Sequence, residues 1–129
     1  MRYLNDDELK IATNFLFLSM AIVVLNQDMN HIKNGNFKIN EPYLELIEKM
    51  TLLARKERKK LRKIMQDKGM QVIQLNKNDS FSSFLFLCHG REEKKNYFNP
   101  AIRKKVEEVI RKLMEKALLS FQDSVAVNN

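Results

Sequence analysis

The sequence predicts an α+β fold in which helix predominates. Three observations carry that expectation. Only 3 Gly and 2 Pro interrupt 129 residues, which favours long regular elements over a turn-rich β fold. Two long segments combine helix start signals with helical periodicity. One stretch is rich in β-branched and aromatic residues and is cut by turn chemistry. The chain is 44% hydrophobic, with 8 Phe and 7 Met, enough for a single core. One domain over residues 1–121 is expected, with a frayed tail at 122–129.

The first element, a helix over about 6–32, has a well-defined start. Asn5 is a capping residue, Glu8 stands three later as in a capping box, and Leu4 can staple onto Leu9. Asp6, Asp7 and Glu8 suit the positive end of the helix dipole. Gly35 is expected to end the helix in a left-handed cap. The run from Ile11 to Leu25 is apolar nearly all round. It is short of the roughly 20 residues a membrane span needs, and Thr13, Asn14 and Ser19 interrupt it. An acidic lead-in argues against a signal peptide. The single Cys suits a reducing compartment. The reading is therefore a cytoplasmic protein without a membrane part. A helix that is apolar on every side needs cover on more than one side. Phe15, Leu16, Phe17, Leu18, Met20 and Ile22 are accordingly expected at a homodimer interface.

Asn40 and Pro42 open a second helix, over about 41–68. Its seam runs Tyr43, Ile47, Met50, Ala54, Leu61 and Ile64, with Glu57 as the one polar position, reaching past the seam to a cation. Both helices would be roughly 40 Å long, so an antiparallel hairpin of matched arms follows. The next segment predicts a β-hairpin, with strands at about 70–76 and 81–89 around the turn residues "NKNDS". A third short strand is expected at 95–98, and Glu92–Glu93 in the turn before it. Asn99 as N-cap and Pro100 at the first turn then open a C-terminal helix over about 100–121.

Charge is concentrated in one place. The chain carries a net charge of +7. Residues 1–54 hold five basic and seven acidic groups, whereas residues 55–63, "RKERKKLRK", hold seven basic groups and one acid. On a helix Arg55, Lys56, Arg58, Lys59, Lys60, Arg62 and Lys63 cover the side opposite the seam. The pairs 55/59, 56/60, 58/62 and 59/63 are like-charged at i,i+4, each unfavourable by about 0.2–0.5 kcal/mol in an isolated helix. The last helix shows the usual remedy: Glu107 precedes Arg111 and Glu108 precedes Lys112. The second helix lacks it, and an anionic partner would remove the repulsion.

No aromatic interleaves with the basic residues, so duplex backbone contact is favoured over base stacking on single strands. The expected function is a non-catalytic regulatory or accessory protein that is DNA-binding through this helix. The alternative is an adaptor or inhibitor docking on an acidic protein surface. Cys88 and His89, adjacent on a predicted strand, would point to opposite faces and cannot form a nucleophile–base pair. Cys88 is read as a buried thiol packed with Phe84 and Phe86. Two His and one Cys fall short of a structural zinc site. The three glycines stand apart, so there is no phosphate loop. No catalytic residue, metal or cofactor is expected.

Overall fold

The computed structural model describes residues 3–128, with side chains described for residues 3–122. Three helices lie on one face of a three-stranded antiparallel sheet. The order is α1 (Asp6–Asn34), α2 (Glu41–Asp67), β1 (Met70–Lys77), β2 (Phe81–Cys88), β3 (Arg91–Phe98) and α3 (Asn99–Asn128), and the strand order is β1-β2-β3. The helical hairpin, the β-hairpin and the C-terminal helix are those the sequence predicts. The backbone of α3 continues to Asn128, past the expected end near 121, while the side chains of the expected frayed tail lie, from 123 on, outside the described residues.

The capping box of α1 forms as predicted. The Glu8 N–H donates to Asn5 Oδ1 at 2.8 Å, and the Asn5 N–H donates to Glu8 Oε1 at 2.9 Å. The far end differs from expectation. Gly35 is extended (φ −85°, ψ −179°), not left-handed. Glycine suits that position because an added Cβ would come within 2.8 Å of the His31 carbonyl oxygen. At the start of α3, Asn99 does not cap in the ordinary way. Its Oδ1 accepts from the Ser82 hydroxyl at 2.7 Å, and its Nδ2 donates to the Asn78 carbonyl at 2.9 Å, pinning α3 to the β1–β2 turn. That turn is closed by Asn78, whose Oδ1 accepts from the N–H groups of Ser80 and Phe81.

The third strand is twice the predicted length. Residues 91–94, with Glu92 and Glu93, were expected in a turn, yet each pairs with β2, from Cys88↔Arg91 to Phe81↔Phe98. Charged residues have low strand propensity, but an apolar partner strand and a tight turn override it. His89 and Gly90 alone make the turn, with φ of 47° and 75°. His89 therefore leaves the strand in which it was expected.

Much of helix α1 is covered within its own chain, although Val23 is 56% exposed. Leu16 packs with Met65, Met70, Phe84 and Phe86. Leu18 packs with Met50, Ala54 and Leu113. Phe17 joins Ala21 and Val106, and its ring meets Tyr97 edge-on at 5.4 Å. The sheet, α2 and α3 thus cover Leu16, Phe17 and Leu18, three of the six residues expected at a subunit interface. Leu16, Phe17 and Leu18 are unavailable to such an interface, while Phe15, Met20 and Ile22 are half-buried at the core's margins. By length and composition α1 could cross a membrane, with a mean hydropathy of 1.7 over its most apolar 18-residue window. Here Ala12, Ala21 and Leu25 are each no more than 2% exposed, packed against the rest of the chain.

Candidate polyanion-binding surface

The geometry of α2 decides where its cations point. The inward positions are Ile47, Met50, Thr51, Ala54, Arg58, Leu61 and Met65, whereas Tyr43 and Ile64 of the expected seam are exposed. The charged residue in the seam is therefore Arg58 and not Glu57. The Arg58 guanidinium lies 4.6 Å from the centre of the Phe15 ring, and its Nε donates to Ser19 Oγ at 2.8 Å. The Ser19 hydroxyl in turn donates to the Phe15 carbonyl. The stem of Arg58 fills the seam and its head emerges at the α1–α2 margin, as a long amphipathic side chain can.

The remaining cations fall into two grooves. On the α1 side, Arg55, Arg58, Lys59 and Arg62 line a groove of about 540 Å³ with Ser19, Ile22 and Val23. Among the described residues no carboxylate lines it. On the α3 side, Lys56 and Lys60 face Lys105, Lys112 and Lys116 across a cleft of about 530 Å³, which also holds Glu57 and Glu108. Glu57, expected to reach a cation past the seam, makes no ion pair there. Lys63 is exposed and lines neither groove. The structure thus divides the seven predicted residues: four gather into one acid-free groove, two share a mixed cleft, and one stands apart. Among the described residues the ion pairs are Arg91–Glu8, Lys95–Glu93 and Arg111–Glu107, so none of the seven cations of α2 is neutralised. The Glu107–Arg111 pair, at 2.9 Å, is the i,i+4 compensation predicted for α3.

One polar constellation escaped sequence reasoning. Glu8 is buried where the start of α1 meets the end of β2, and its carboxylate is fully engaged. Arg91 Nη1 and Nη2 donate to its two oxygens at 2.6 and 2.5 Å, and Cys88 Sγ donates to Oε2 at 3.3 Å. The Arg91 guanidinium, followed by the Asn5 backbone N–H, holds the Glu8 pKa down at about 2. Burial, followed by the hydrogen bond to Glu8, pushes the Cys88 thiol up. A thiol with a raised pKa is a poor nucleophile. Cys88 is 0% exposed and packs with Phe84 and Phe86, as its sequence context predicts. His89 sits apart with its imidazole over Gly69, where an added Cβ would lie 2.7 Å from Cε1. The constellation ties three elements together: the Cys88 thiol faces the Glu8 carboxylate, but both are buried and Arg91 already engages both carboxylate oxygens. Among the described residues no three His, Cys, Asp or Glu side chains come together as metal ligands.

Comparison with known sequences gives one family: its model, described as YhjD protein, matches residues 3–118. The chain belongs to the YhjD protein family. It is 30% identical over 110 residues to the uncharacterized protein YhjD of Bacillus subtilis (strain 168), an alignment covering 85% of this chain and 92% of that protein. The YhjD match spans α1, α2, the three strands, α3 as far as residue 118 and both grooves of α2. No solved structure matches the chain.

Proposed function

We propose that this YhjD family member is a non-catalytic accessory protein that binds the phosphate backbone of nucleic acid through α2. The observation that supports this most directly is the acid-free groove of Arg55, Arg58, Lys59 and Arg62. Four cations held within one helical stripe, none paired with a carboxylate, repel one another until an anion arrives. A duplex backbone supplies a line of phosphates that such a stripe can follow, and arginine contributes bidentate contacts to each. The groove has no aromatic or amide side chain aimed at bases, so binding driven by counterion release and indifferent to sequence is the expected mode.

The test is fluorescence anisotropy of a labelled DNA duplex across a series of salt concentrations. If the four groove cations each neutralise one phosphate, the logarithm of affinity should fall against that of salt with a slope of about −4. A Arg55→Glu/Lys59→Glu/Arg62→Glu variant should lose most of the binding and reduce the slope by about 3. A folded wild type that fails to bind duplex at low salt would overturn the proposal. Retention of an acidic protein on the same surface would then support the adaptor reading.

A further inference from the structure

Helix α2 is cationic on both of its flanks and across the crest between them. Over residues 55–63 every side chain is exposed except the half-buried Arg58 and Leu61. At 3.6 residues per turn, the order around the helix from the α1 side outward is Arg62, Arg55, Lys59, Lys63, Lys56 and Lys60, an unbroken basic arc of about 160°. Glu57, the one acid of the stretch, falls beyond that arc, inside the cleft beside α3. Lys63, which lines neither groove, stands near the middle of the arc. The opposite wall of the α3-side cleft is also basic, since Lys105, Lys112 and Lys116 face Lys56 and Lys60. Glu108 stands at i,i+4 spacing from Lys112, yet among the described residues the two form no ion pair. The cleft therefore sets five lysines against two carboxylates.

We infer that α2 seats in the major groove of a B-form DNA duplex, with the phosphates of one strand along the groove beside α1 and those of the other along the cleft between α2 and α3. The inference rests on the nucleic-acid reading above and adds to it the form of the duplex and a second wall, that of α3. Charge and width together select this occupant. Cations on both flanks of one helix call for two lines of anions, and the two strands that border a groove supply them. A single strand has one backbone and fills one flank only. A helix about 10–12 Å across matches a major groove about 12 Å wide, whereas the minor groove, at about 6 Å, excludes it. The major groove of an RNA duplex is too deep and narrow to admit the helix. Lys63 on the crest then points towards the floor of the groove. Lys105, Lys112 and Lys116 become part of the nucleic-acid surface, although their helix reads in sequence as a face of compensated charge. Glu57 and Glu108 weaken the α3-side wall without reversing its sign.

Fluorescence anisotropy with three labelled probes of one sequence tests the seating: a DNA duplex, the matching RNA duplex and a single DNA strand, each titrated over a series of salt concentrations. The DNA duplex should bind at least about tenfold tighter than either of the others, since neither of them offers phosphates to both flanks. Its salt slope should exceed the value of about −4 set by the α1-side groove alone, reaching about −6 if the three lysines of α3 each neutralise one further phosphate. Lys105→Gln/Lys112→Gln/Lys116→Gln changes three exposed positions and should return the slope to about −4. Saturating an A·T-rich duplex with a minor-groove ligand should leave binding unchanged. A folded wild type that binds no DNA duplex overturns the nucleic-acid reading and this inference together. Equal affinity for DNA and RNA duplexes, a slope that the α3 variant leaves unchanged, or displacement by the minor-groove ligand overturns the seating alone and leaves backbone contact by α2 standing.

Discussion

Replacing Glu8 with Gln removes a charge from the junction of α1, β2 and β3 while leaving its shape intact. In the folded chain the Glu8 carboxyl has a pKa of about 2, against an ordinary value of 4.5. That difference corresponds to about 3 kcal/mol at neutral pH if it is expressed in full. The Arg91 side chain is 27% exposed, so solvent screens the pair and about 1–2 kcal/mol is the expected contribution. The sign follows from the lowered pKa. As pH falls from about 4.5 towards 2, the unfolded chain takes up a proton at Glu8 before the folded one does, and the contribution is lost across that window. Urea unfolding of wild type and Glu8→Gln at pH 7 and pH 3 measures it. The variant should be less stable at pH 7, and the gap should narrow at pH 3 because only the wild type still loses this interaction. A gap of equal size at both pH values would refute the reasoning.

Two further predictions concern the same corner of the molecule. Gly69→Ala forces a side chain onto a backbone at φ +63°, with its Cβ 2.7 Å from the His89 ring. A loss of about 1–2 kcal/mol is expected, and adding His89→Ala should recover only part of it, since the backbone strain remains; thermal unfolding of the single and double variants checks both. The Cys88 thiol, fully buried and with its pKa raised, should react with a chromogenic disulfide reagent only when the chain opens. Its rate should then rise steeply with urea, whereas rapid reaction of the native protein would contradict the packing described.

Where the sequence proved legible, the signals were local. The capping box at Asn5 and Glu8, the prolines at 42 and 100, and the turn chemistry around Asn78 each act within a few residues, so their outcome is set before the chain folds. Where it proved illegible, a distant partner decided. The segment from Arg91 to Lys94 has poor strand propensity and reads as solvated turn, yet β2 offers it a complete ladder and a two-residue turn. Glu8 is readable as a helix cap, but its second role depends on Arg91, 83 residues away. The choice of Arg58 over Glu57 for the inward position of α2 turns on one residue of helical phase, and the Phe15 ring of α1 settles it.

The basic character of α2 is likewise a property of the sequence, since seven cations in nine residues are unbalanced however the chain folds. Their division between an acid-free groove beside α1 and a mixed cleft beside α3 is a property of the packing. The covering of α1 has the same origin. An all-round apolar helix states in sequence that it must be buried, but not by what. Only the tertiary structure shows that α2, α3 and the sheet take Leu16, Phe17 and Leu18 while Val23 is left exposed. Hydrophobicity and capping are local free energies written residue by residue, whereas the partners of a buried face are chosen by a global competition among all the surfaces the chain can bring together.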